Sequence, residues 1–138
     1  VLQLELHRIA STLALSFLLA HVLGMLFDPV VHFSLLDALV PFTSSFRPLQ
    51  VGAGTVAQWL LVAVLVSTAA AGRLTWVQWR NLHWLSFPCY LLALVHGLTA
   101  GSDSTNPLVF GLYAGTAASV AALAFVRLAG RGWVTANA

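Results

Sequence analysis

Four stretches of this chain, over about 4–27, 54–72, 77–100 and 107–128, are apolar through the full thickness of a bilayer and carry almost no charge. A helix crosses the hydrocarbon core with roughly 20 apolar residues, and backbone surrounded by lipid must satisfy its own hydrogen bonds. The expected class is all-α: an integral membrane four-helix bundle, one transmembrane domain over 1–138, with an apolar interfacial outer loop over 28–53. The surface is not built for water. Charged residues make up 7% of the chain, where a soluble domain carries about 25%.

The breaks between stretches carry their own signals. The first span stops at Asp28-Pro29, and the second ends in an Ala-Ala-Ala-Gly run before Arg73. The later connections are short, so consecutive spans should be antiparallel neighbours. In the long first loop Asp28 is suited to cap, and Pro29 to start, a short helix reaching about Val40 before Pro41. Its apolar residues, among them Val30, Phe33, Leu36 and Leu39, suit the membrane interface. The run from Ile9 to Phe27 is too long for a signal peptide, and Asp28-Pro29 is no cleavage pattern. Val1 opens on an apolar helix without an initiator methionine, so the chain is expected to be processed or a piece of a longer one.

Charge placement sets the expected orientation. All six cationic side chains are arginines, and they stand singly, which excludes a basic stripe for nucleic acid. With spans alternating in direction, Arg8, Arg73, Arg80, Arg127 and Arg131 fall on one side. Arg47 falls on the other, with Asp28, Asp37 and Asp103. The positive-inside rule then puts both termini in the cytoplasm, and Trp76, Trp79 and Trp84 anchor span three at that headgroup level.

Inside these spans lie four histidines, His7 and His21 in span one, His83 and His96 in span three, separated by 14 and 13 residues. An ionisable side chain within a membrane marks a functional position by default. Each spacing is about 20 Å along a helix. Spans one and three run parallel, so His7 and His83 share the cytoplasmic level while His21 and His96 share the outer one. Each level then has two facing imidazoles, the arrangement of bis-histidine haem ligation. Helical phase is uneven: 14 residues return to within about 40° of one face, but 13 leave about 140° of mismatch. Span three therefore needs a distortion, and Pro88 is where a kink belongs. Zinc fits poorly, because ligands about 20 Å apart cannot share an ion and two histidines do not close a zinc site.

The remaining candidates are weaker. Cys89 is the only cysteine, and no Cys-x-x-Cys-His occurs, so any haem is held non-covalently, as b-type. Cys89 itself reads as a small buried apolar residue. Arg8 and Arg80 are suited to pair with propionates of an inner haem and Arg47 with those of an outer one, or simply to set topology and meet headgroups. His32 reads as an interfacial loop side chain. Gly111, Ala114, Gly115, Ala118 and Ala122 form a small-residue stripe on span four, a helix-packing face first and a dimer interface second. No nucleotide-binding glycine motif or hydrolase motif is present.

The segments LHRIASTLALSFLLAH and WRNLHWLSFPCYLLALVHGLTAGSD resemble the haem helices of the ferric-reductase-like transmembrane family, which includes NADPH oxidases, ferric reductases and the haem subunit of bacterial methionine sulfoxide reductase. LVPFTSSFRPLQVGAGT resembles the loop and second-span start of bacterial members, so a bacterial plasma membrane is expected. The resemblance implies two b haems, ligated by His7 with His83 and by His21 with His96, that pass electrons outward. Such proteins usually have a span before the first haem helix, and many carry a flavin domain; neither is in this sequence. The expected function is thus a di-haem b electron-transfer module, the membrane component of an oxidoreductase. Its donor would be a flavoprotein or quinol and its acceptor extracytoplasmic. The alternative is a cofactor-free membrane scaffold or assembly subunit whose histidines are packing residues.

Overall fold

The computed structural model describes residues 2–136, with side chains through Arg127 and at Ala129; Val1 and the Arg131 side chain lie outside the described residues. Six α-helices follow in order: α1 (Leu2–Leu26), α2 (Leu35–Leu39), α3 (Pro48–Ala69), α4 (Trp76–His83), α5 (Ser86–Ala100) and α6 (Pro107–Ala136), with a 3₁₀ turn over Ala71–Arg73. Together α4 and α5 make one span, so four helical units are long and apolar enough to cross a membrane. No strand occurs among the described residues, and the fold is all-α.

Contacts fix the directions. Cys89 Sγ meets the Ala57 carbonyl at 3.3 Å and His96 meets Gln50, so α5 runs antiparallel to α3. Tyr90 bonds Thr116 and Gly97 lies against Tyr113, which makes α6 antiparallel to α5. The histidine pairs make α1 parallel to α4 and α5. One end of the bundle therefore holds the 70–75 connection and the start of α1, and is called the turn end. The other holds the 27–47 connection and is called the loop end.

The centre of the bundle is α3. It buries Val51, Gly52, Thr55, Ala57, Val64 and Ser67, whereas α1, α4 and α5 bury no residue fully. These are small side chains, the kind that lets helix backbones approach in a membrane, where apolar burial alone gives no preference for protein over lipid. The buried Ser67 hydroxyl returns to the Val64 carbonyl of its own helix at 2.8 Å, and the Thr55 hydroxyl is shared between the Val51 carbonyl of its own helix and the Asp37 carbonyl, both at 3.2 Å. Large apolar residues point outward instead, Phe17 at 70% exposure and Leu112 at 70% among them, as a lipid-facing surface requires.

Three local features differ from the sequence expectation. The loop helix starts at Leu35 rather than Pro29. Asp28 spends its carboxylate on a turn, accepting from the Val30 and Val31 N–H groups at 2.7 and 3.0 Å. His32 then sits at φ 50°, outside helical geometry, and the capping box that starts α2 belongs to Ser34 and Asp37. The second span begins at Pro48 rather than at Gly54. Proline is pre-shaped for the first helical position, and the two glycines that suggest a boundary lie inside the helix for packing reasons. Gly52 receives the Phe42 ring, which a Cβ there would strike at 2.1 Å, and Gly54 receives the His96 ring.

The third difference supplies the expected distortion in span three. The helix breaks at Trp84-Leu85, between α4 and α5. Pro88 has no N–H to offer the Trp84 carbonyl, so Phe87 N–H takes it at 3.1 Å, one residue early. Leu85 N–H likewise turns to Leu82 at 3.0 Å. These tighter i→i+3 bonds re-aim α5 about the bundle axis relative to α4.

Candidate functional site

Both histidine pairs close. The His7 and His83 rings face each other at the turn end with centroids 6.1 Å apart and planes crossing at 61°. The His21 and His96 rings do the same at the loop end, at 6.0 Å and 74°. The helical run that carries His83 and His96 is interrupted between them, at Trp84-Leu85. A straight helix would send His83 and His96 to faces about 140° apart, yet both meet the same partner helix. Two rings at this separation leave room for one ion between them with metal–nitrogen bonds of about 2 Å on each side.

The surroundings of the two pairs differ. At the loop end a cavity of about 760 Å³ opens between α1, α3 and α5, with His21, His96, Gly54, Ala93, Gly97 and Tyr113 in its walls. Its size is that of a site for a cofactor-sized ligand. Gly97 gives the Tyr113 hydroxyl its place, since a Cβ at 97 would come within 2.7 Å of it. His96 is anchored by its Nδ1–H, which donates to the Gln50 carbonyl at 2.8 Å. At the turn end the Trp79 ring stacks on His83 at 4.8 Å, and Trp76 stacks on Trp79 at 5.1 Å. The Trp79 Nε1 and His83 Nδ1 atoms are buried there without a hydrogen-bond partner.

A brace holds the loop end. Thr55, Gln58 and Trp59, on one face of α3, donate to the carbonyls of Asp37, Ala38 and Leu39 at 3.2, 3.2 and 2.8 Å. These belong to the end of α2, where helix carbonyls lack partners of their own. Within α2 the Asp37 carboxyl is held below the usual carboxylate range by the Ser34 hydroxyl and N–H, with help from Thr43. The Asp28 carboxyl is lowered by the Val31 and Val30 N–H groups.

The arginines separate into different tasks. Arg47, at φ 44°, donates from Nη1 to the Thr99 carbonyl at 2.7 Å, a cation on the negative end of α5. Arg8 pairs with Glu5 at 3.2 Å in an exposed contact on α1. Arg80 is exposed on the last turn of α4. None of the three lines the loop-end cavity. Cys89 is a half-buried packing contact of α5 on α3, and His32 is an exposed loop side chain whose Nδ1–H donates to the Val30 carbonyl at 3.1 Å. The small-residue stripe of α6 faces outward: Gly111 and Gly115 have no neighbour within 4 Å of a Cβ. It is therefore not a packing face within this chain.

Sequence reasoning missed the Gln50–His96 bond, the Trp79 stack and the brace. Only the brace had a legible sign, the polar trio Thr55, Gln58 and Trp59 at one helical face in an otherwise apolar span. Among the described residues no group of three or more His, Cys, Asp or Glu side chains gathers around a common point. Comparison with protein-family models, with curated proteins and with solved structures gives no match for this chain.

Proposed function

We propose that the chain is a transmembrane electron-transfer module holding two b-type haems, one at each histidine pair. The observation that carries this reading is the simultaneous closure of both pairs to about the same separation, 6.1 and 6.0 Å, although the 13-residue spacing of span three is out of phase on a straight helix. Each pair brings two imidazoles to a common gap, and among the described residues no third His, Cys, Asp or Glu side chain joins either pair. That donor set suits a planar macrocycle, which brings its own four nitrogens, better than a bare ion, which would need the protein to finish its coordination. The loop-end cavity and the orphaned donors beside His83 fit a group inserted between α1 and its neighbours.

His7 and His83 would hold the turn-end haem and His21 and His96 the loop-end one. Such a group would supply one-electron oxidation and reduction, and the two histidines of each pair would be the residues that hold it. The helices therefore serve to fix two redox sites at a separation of about 20 Å along the membrane normal. The arginine distribution supports cytoplasmic termini, with the turn end facing the cytoplasm and the loop end outside. In this reading a flavoprotein or quinol donates, an extracytoplasmic acceptor receives, and the chain resembles the membrane component of ferric-reductase-like oxidoreductases in a bacterial plasma membrane.

A reduced-minus-oxidised spectrum of the purified chain, expressed with haem supplied, tests the reading. Bands of b-type haem at two per chain are expected. Their absence would leave a cofactor-free scaffold, in which the four histidines only pack.

A further inference from the structure

The two pairs are not chemically equal, and the difference lies in one backbone carbonyl. Gln50 is in the first turn of α3, and its oxygen lies 2.8 Å from His96 Nδ1. A carbonyl only accepts, so Nδ1 carries the proton and Nε2 keeps its lone pair. The ring can come this close because residue 54, one turn further along α3, has no side chain. A Cβ there would lie 2.7 Å from Nδ1 and 2.9 Å from Cγ and Cε1, with no flexible atom to yield except the imidazole itself. A glycine inside a helix is less favourable than alanine, and here it opens the groove that seats the ring. At the turn end the corresponding atom, His83 Nδ1, is buried with no acceptor.

We propose that the Gln50 carbonyl and the bare Cα of Gly54 position His96 as an Nε2 ligand, and that this bond makes the loop-end site the lower-potential member of the pair. The Nδ1–H tautomer stands on the hydrogen bond alone; the ligand role and the ordering rest on the di-haem reading. An imidazole whose second N–H is given to an acceptor is a stronger base toward a metal. Stronger donation favours the oxidised, more positive iron, so the loop-end site is reduced after the turn-end site. Gln50 and Gly54 act through His96 and are positioning residues.

Two experiments separate the halves. Long-range proton–nitrogen spectra of the full chain in detergent, labelled with ¹⁵N-histidine and purified without haem, should show His96 in the Nδ1–H form. The signal is assigned by its loss in His96→Gln, and an Nε2–H form would overturn the positioning assignment. With haem supplied, a redox titration should resolve two transitions. In His83→Ala, which keeps the loop-end pair, the remaining transition should be the lower one; finding the upper one overturns the ordering. Gly54→Ala should raise only the lower transition, by at least tenfold in the oxidised-to-reduced ratio, about 59 mV for one electron. Gly111→Ala, whose Cβ meets nothing within 4 Å, should leave both unchanged. A Gly54→Ala chain with both haems and an unmoved titration overturns the potential assignment. A chain that binds no haem overturns the di-haem reading and the ordering with it, while the tautomer result stands on its own.

Discussion

The loop end and the turn end solve the same problem in opposite ways. At the loop end five polar side chains have partners within the chain. Thr55, Gln58 and Trp59 hold α2, Arg47 caps α5, and His96 is tied to Gln50. At the turn end the Trp79 ring stacks on His83, and two buried nitrogens, Trp79 Nε1 and His83 Nδ1, have no hydrogen-bond partner. A buried donor left unmade costs about 1–3 kcal/mol. The loop-end site is thus tied into its own chain by hydrogen bonds, while the turn end is held by stacking alone.

Substitutions can break or sharpen this contrast. The largest effect is expected from removing one imidazole: His21→Ala should lower haem from two per chain to one and spare the turn-end site, and His7→Ala should do the reverse. Haem-to-protein ratio and difference spectra check this, and loss of both haems from either variant would mean that the ends are not independent. Next in size, Gly52→Ala forces a methyl into the Phe42 ring, which a Cβ would approach at 2.1 Å. Overpacking of this kind costs about 1–3 kcal/mol. It should appear as a lower thermal midpoint in detergent, with the loop-end haem released first.

A paired comparison of two tryptophans follows. Trp59→Phe deletes a bonded indole N–H and should cost about 1 kcal/mol. Trp79→Phe deletes an orphaned one and should be near neutral in the haem-free chain. Chemical unfolding of both variants checks this, and equal losses would erase the distinction between the ends. The smallest effect concerns acid. The Asp37 carboxyl is depressed below its ordinary value of 3.8 by Ser34, so the capping it provides is complete above that pH. It is lost as pH falls through the lower folded value. The α2 brace should loosen only below about pH 4, read as proteolysis of the 28–47 loop, and Asp37→Asn should remove that acid dependence.

Much of the architecture was readable before any coordinates, because bilayer thickness turns apolar length directly into helices. The need for a distortion in span three was readable too: the 13-residue spacing is out of phase, and proline withholds one N–H. The start of α3 was not, since Gly52 and Gly54 weaken a helix locally and read as its boundary. Their compensation comes from Phe42 and His96, residues distant in sequence. The Gln50–His96 bond was invisible for a deeper reason. Every residue has a carbonyl, so no letter in the sequence marks the one that will hold an imidazole.

The joint at Trp84-Leu85 has a mechanical meaning as well as a geometric one. His83 closes the rigid segment α4, and His96 belongs to the separate segment α5. A continuous rod would carry any tilt at the headgroup surface straight into the opposite half of the membrane. A jointed one absorbs it. In the di-haem reading a donor docking against Trp76 and Arg80 would meet α4 and the His7/His83 pair, while α5 is latched to α3 and capped by Arg47.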